Sequence, residues 1–165
     1  MKDVKDVRPT SGRVLSALFS IIGDRVRDSS FLDLFAGTGR VGLEALKRGA
    51  ASCVFVESVK SRAALIREQC NSLVLALEVR RALSWLEKRD MKFDIVFADP
   101  PYNSGWCEVL PTLGLERVLA DNALLIIEHS IRERFPREQA ASFKDYEYGE
   151  TCLTLININT KEQQS

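Results

Sequence analysis

Histidine is almost missing from this sequence, with His129 the sole example in 165 residues, and cysteine is sparse, at Cys53, Cys70, Cys107 and Cys152. No CxxC pair exists, and one histidine cannot complete a zinc site with cysteines so far apart, so no metal is expected. The cysteines are read as reduced, with Cys53, Cys70 and Cys152 in apolar patterns as small core residues. Net charge is missing too: 23 Lys+Arg balance 23 Asp+Glu, so composition alone points to no polyanionic partner. The segment from Lys60 to Lys92 is a local exception, with eight basic residues against four acids, open to reading as a binding stripe or a solvated surface. No apolar run is long enough to span a membrane, and the start MKDVKDVRPT has neither a basic n-region nor an apolar h-region. Insertion and secretion are therefore not expected, and the cytoplasm is the simple location. With no repeats and no low-complexity linker, residues 1–165, 45% hydrophobic, suit one domain with an adequate core, expected as a monomer.

Strand and helix signals alternate along the chain. Thr10 or Ser11 can cap a helix over the region 8–23, with Leu15, Leu18, Phe19 and Ile22 at helical spacing and Gly23 to end it. Strands are expected at Phe31–Phe35, Ser52–Glu57, Leu75–Val79, Phe93–Asp99 and Ala123–His129. Helices are expected between them: Val41–Arg48, a stripe Val59, Ala63, Ile66, Cys70 and Leu73, a short one around Leu83 and Leu86, and a stripe Trp106, Val109, Leu110 and Leu113. The end of the chain, Phe143–Tyr148 and Cys152–Ile158 about Gly149, reads as a hairpin. The pattern predicts a three-layer α/β domain with a mostly parallel sheet, whose ligands bind beyond the carboxyl ends of the strands.

Four strand ends carry chemistry. Gly37, Gly39 and Gly42 satisfy GxGxxG between a strand and a helix, and Asp33 adds an acid suited to an amine or to ordering the loop, which a pyrophosphate site does not require. Glu57 closes the second strand, where a carboxylate can accept from both hydroxyls of a ribose. The turn Arg80-Arg81-Ala82 has two readings: an adenine site, with Arg81 stacking and the Ala82 N–H meeting a ring nitrogen, or a solvated basic turn. In Asp99-Pro100-Pro101-Tyr102 two prolines stiffen the chain, so the Asp99 carboxylate and Pro100 carbonyl are held as acceptors for a planar exocyclic amine. Tyr102 supplies a face on which an extruded base can stack. His129 is open between lining the site and a structural role.

The pairing of LDLFAGTGRVGLEAL with FADPPY resembles the S-adenosylmethionine-dependent amino-methyltransferases. RPTSGRVLSALFSII, IIEHS and YGETCLTLI narrow the resemblance to the RsmD-like family, from Arg8 to about Ile158. That resemblance implies a Rossmann-like class I methyltransferase fold with a seven-stranded sheet and C-terminal antiparallel hairpin. It implies methyl transfer from S-adenosylmethionine to a guanine N2 of small-subunit (16S) ribosomal RNA, within particles, leaving S-adenosylhomocysteine. On this chain it implies that Asp33, Phe35, Ala36, Gly37, Thr38 and Gly39 surround the methionine part, that Glu57 holds the ribose, and that Arg81 and Ala82 lie by the adenine. Asp99, Pro100, Pro101 and Tyr102 would grip the base, with Arg8, Pro9 and Thr10 near the entrance. No covalent nucleophile is needed, because in-line displacement rests on positioning.

Three departures stand out. Only seven residues precede Arg8, where family members carry a basic strand region; Gly12-Arg13-Val14-Leu15-Ser16 stands for the family's Asp-Arg-Val-Arg/Lys-Glu and loses charged positions; and at Arg81 the family tends to have Asp or Asn for the adenine amino group. Two rival functions follow: methylation of adenine N6 or cytosine N4 in DNA, which DPPY also serves, and a catalytically silent ribosome-binding module. A nicotinamide dehydrogenase explains the glycines and Glu57 but not DPPY.

Overall fold

The structure, a computed structural model, describes residues 11–133 and 142–158. Ser11 caps the first helix, α1 (Gly12–Ile22), by accepting the Val14 N–H at 3.2 Å, and Gly23 at φ 58° ends it. Val14, Leu18, Phe19 and Ile22 are its buried residues; Leu15, expected in that stripe, is only half-buried.

Seven strands form one sheet: β1 (Ser30–Asp33), β2 (Ser52–Val56), β3 (Val74–Leu75), β4 (Phe93–Ala98), β5 (Leu119–Ser130), β6 (Phe143–Tyr148) and β7 (Thr151–Asn157). Their order is β3-β2-β1-β4-β5-β7-β6. The first five run parallel, and β7 lies antiparallel between β5 and β6, which makes the expected hairpin. This is the Rossmann-like class I methyltransferase fold. Strand order reverses beside β1, whose neighbours are β2 and β4, so the crevice for a ligand opens at their carboxyl ends.

One core lies on the face covered by α1, α2 (Arg40–Lys47) and α3 (Lys60–Gln69), and joins Leu18, Val41, Ala45, Ala63 and Ile66 to Phe31, Phe55 and Phe97. The other lies under α4 (Val79–Lys88) and α5 (Trp106–Val109), and joins Leu83, Leu86, Cys107 and Leu110 to Leu32, Val96 and Ile127. Strands buried on both faces explain the continuous apolar runs of the sequence.

Three expected elements change. The third strand is only Val74–Leu75, because the Glu78 side chain accepts the Arg81 N–H at 3.1 Å and starts α4 where Leu75–Val79 was read as strand. The stripe on α3 stops at Ile66, since Cys70 is its extended C-cap and Val59 and Leu73 are exposed. The helix expected through Leu113 is α5 followed by a 3-10 turn at Leu110–Thr112, where Pro111 has no N–H to continue an α-helical ladder.

Candidate active site

Strand ends bring acids into the crevice from four sides. Asp33, at the end of β1, is 1% exposed; its Oδ2 accepts the Gly42 N–H at 3.1 Å, and its Oδ1 is buried with no hydrogen-bond partner. Burial pushes its carboxyl up to about 7, the Gly42 hydrogen bond opposes this, and the Glu57 charge adds to it. Glu57, just after β2, is also buried; it accepts from Gly37 N at 2.9 Å and Val59 N at 2.8 Å, with the Arg62 Nε 3.5 Å away.

These contacts decide what the glycine loop can hold. The N–H groups of Gly37 and Gly42 point at the protein's own carboxylates, and that of Gly39 at Ala36 O at 2.8 Å. An anion such as pyrophosphate would meet two acids in the place where a dinucleotide loop offers free donors. A ligand bearing a cation and hydroxyl donors fits instead: Asp33 Oδ1 awaits a donor, and each Glu57 oxygen keeps a lone pair beyond its backbone bond. In the loop, Phe35 and Gly37 are half-buried, Ala36 and Gly39 buried, and Thr38 exposed.

The adenine contacts expected at Arg81 and Ala82 need correction. Ala82 is fully buried in α4, and its N–H donates to Glu78 O at 3.0 Å, so it cannot meet a ring nitrogen. Arg81 is exposed in the first turn of that helix, not in a turn after a strand. Its neighbour Arg80 lies over the Trp106 ring, 5.7 Å from the centroid, and Trp106 meets Phe35 of the glycine loop edge-on at 5.3 Å. Trp106 therefore flanks the loop and carries Arg80 on its ring; the sequence placed Arg80 in the candidate adenine turn without a role of its own and Trp106 in a helical apolar stripe.

Beyond β4, Asp99 is half-buried, Pro100 buried and Pro101 exposed. The Asp99 carboxyl is held well above the usual carboxylate range, first by burial and then by the charges of Glu128, Asp33 and Glu133. The Tyr102 hydroxyl lies 3.2 Å from Thr151 Oγ1, which ties the ring to the start of β7. His129 is buried and structural: Nδ1 donates to Ser130 O at 2.8 Å, and Nε2 lies 2.6 Å from Thr154 Oγ1, which donates to Asp145 at 2.8 Å. Among the described residues, no three His, Cys, Asp or Glu side chains are arranged to hold a metal ion. No helix among them is long and apolar enough to cross a membrane. Arg8, Pro9 and Thr10 lie outside the described residues.

Residues 1–157 match the model of a family described as conserved hypothetical protein 95, the RsmD family. The chain belongs to it. Ribosomal RNA small subunit methyltransferase D of Escherichia coli is 32% identical over 142 residues, which span 81% of this chain and 70% of that one. A solved hypothetical protein of Thermus thermophilus superposes with a TM-score of 0.77 at 28% identity, covering 96% of this chain and 92% of the other. The fold is also shared with the Thermus thermophilus 16S rRNA N2 methyltransferase RsmC, in complex with AdoMet and guanosine, at TM-score 0.72 and 22% identity, covering 94% of this chain and 44% of that one.

Within this RsmD-family chain the acid of β1 also affects stability. An unfolded Asp33 releases its proton near 3.8, whereas the folded protein keeps it up to about pH 7. Stability from this group is complete below 3.8 and is lost as pH rises toward 7, by on the order of 4 kcal/mol. Asp33→Asn keeps an acceptor for Gly42 but has no proton to lose. Urea unfolding should show the parent weakening from pH 5 to pH 8, with the variant's midpoint falling less and lying above the parent's at pH 8. Equal slopes would mean that Asp33 does not take up its proton between pH 8 and pH 5 in the way its burial requires.

Proposed function

We infer that this chain transfers a methyl group from S-adenosylmethionine to the exocyclic N2 of a guanine in small-subunit ribosomal RNA. The observation that carries the reading is the stiff Asp99-Pro100 acceptor pair beside a crevice whose loop donors are committed to buried acids. When bound, S-adenosylmethionine supplies a methyl group made electrophilic by a sulfonium. Asp33, once its raised carboxyl has lost its proton, would offer Oδ1 to its ammonium, Glu57 would accept from the ribose diol, and Phe35, Trp106 and Arg80 would flank the adenine. Asp99 and the Pro100 carbonyl accept the two protons of the base amine, which turns the nitrogen lone pair out of the ring system and toward the methyl carbon. As the nitrogen–methyl bond forms, the methyl–sulfur bond would break to leave S-adenosylhomocysteine, and the Asp99 carboxylate, whose hold on a proton is raised, is suited to take the proton that the amine loses. Tyr102, tethered to Thr151, gives the extruded base a stacking face. The names of the RsmD-family relative and of RsmC, both ribosomal RNA methyltransferases, support the substrate class.

Tritiated methyl transfer tests this with small-subunit particles, naked ribosomal RNA and DNA offered separately. Label is expected in particles or RNA. Label in DNA alone would move the reading to adenine N6 or cytosine N4. No label anywhere, while S-adenosylhomocysteine raises the melting temperature, would leave a silent binding module.

A further inference from the structure

Of the four acids brought to the crevice by β1, β2, β4 and β5, Glu128 alone has no part in the reaction above. Strands β4 and β5 run parallel with Phe97 opposite Ile126 and Ala98 opposite Ile127, so the next pair outward is Asp99 and Glu128. Phe97 and Ile126 belong to one core and Ala98 and Ile127 to the other. Alternation therefore sends Asp99 and Glu128 to the same face, where Asp33 already lies opposite Phe97. Glu128 is 5% exposed, and Asp33 beside that face keeps its buried Oδ1 without a partner. Glu128 heads the charges that raise the Asp99 carboxyl, ahead of Asp33 and Glu133. Glu133 is oriented otherwise, accepting from Ser130 N at 3.1 Å and from the Cys107 thiol at 3.3 Å.

The clamp of Asp99 and Pro100 grips any planar amine and so does not choose among bases. What differs is the ring nitrogen beside the amine. In guanine it carries a proton, N1–H; in adenine N1 and in cytosine N3 it carries a lone pair. We propose that Glu128 accepts the N1–H of the guanine whose N2 amine Asp99 and Pro100 hold, and that it excludes adenine and cytosine by setting a buried carboxylate against their lone pairs. This rests on the guanine-N2 reading and adds to it the residue that selects the base. The role requires the carboxylate form, since a protonated Glu128 would donate to those lone pairs. A site built to meet a substrate N–H rejects an analogue that lacks it, because its buried acceptor is left unmet.

The base 2-aminopurine keeps the guanine N2 amine but has a lone pair at N1. Once the methylated guanine is located by mass spectrometry, ribosomal RNA carrying guanine or 2-aminopurine at that position is offered to the parent, Glu128→Gln and Glu128→Asp. The parent should prefer guanine by at least about tenfold in kcat/KM, and Glu128→Gln, which can present a donor or an acceptor, should lose most of that preference. Glu128→Asp, keeping the charge, should retain more of it than Glu128→Gln. A stabilising shift with S-adenosylhomocysteine verifies that each variant folds, and the parent's own ratio is a test that needs no variant. Equal use of both bases by the parent, or an unchanged preference in Glu128→Gln, overturns the inference while leaving guanine methylation intact. Label in adenine or cytosine overturns the inference and the proposed function together.

Discussion

Asp99→Ala is expected to slow methyl transfer by about a hundred- to a thousandfold and to leave the melting-temperature rise with S-adenosylhomocysteine close to the parent's. The split follows from where the side chain sits. Asp99 follows β4 and faces Glu128 and Asp33, while the groups assigned to the cofactor come from β1, β2 and the glycine loop. On the proposed reading, removing the carboxylate takes away one of two acceptors for the amine and the group suited to take its proton. The Pro100 carbonyl remains and can hold the base only loosely. Single-turnover transfer at saturating cofactor, read beside the thermal shift, separates chemistry from binding. A variant within about threefold of the parent would remove Asp99 from the reaction, well short of the loss that a mispositioned substrate brings.

Gly42→Ala should destabilise the fold by about 3 kcal/mol, at the upper end of the range for overpacking. The sign is informative, because Gly42 lies inside α2, where alanine normally stabilises a helix by about 1 kcal/mol over glycine. Here an added Cβ would collide with Phe55 Cε1 and lie 2.7 Å from Cys53 Sγ. Phe55 is fully buried in β2, so its ring cannot swing aside. The helix must lift from the sheet instead, which stretches the bond from Gly42 N to Asp33 and loosens the loop that Glu57 holds. Urea unfolding should show the loss, and the response to S-adenosylhomocysteine should weaken with it. Gly12→Ala, where the nearest atom to a Cβ is the end of an arginine side chain at 3.6 Å, is the matched control and should cost nothing measurable. Equal stability of Gly42→Ala and the parent would contradict the close helix-to-strand approach.

The parallel strands were legible because both their faces are buried, so they read as unbroken apolar runs that end in Asp33, Glu57, Asp99 and Glu128. Glu128 stood in plain view at the end of Ala123–His129, yet its place beside Asp99 comes only from the strand register. Glu78 shows the opposite limit. Its neighbours have the alternation of a strand, and a single side-chain hydrogen bond to Arg81 N turns the segment into a helix start. That one capping contact displaced Arg81 and Ala82 from the expected adenine site and put Arg80 against Trp106. The role of His129 was undecidable from sequence because its partner Thr154 is 25 positions away. The glycine loop was visible as a motif, but its preference for a cation was less so, since the contact from Gly37 to Glu57 crosses 20 positions.

Nucleoside analysis of the methylated product tests the central claim most directly. Small-subunit particles or their RNA, incubated with the protein and labelled S-adenosylmethionine, are digested to nucleosides and separated. The label is expected to run with N2-methylguanosine and to be lost with Asp99→Ala. Label running with N6-methyladenosine or N4-methylcytidine, or persisting undiminished in Asp99→Ala, would contradict it.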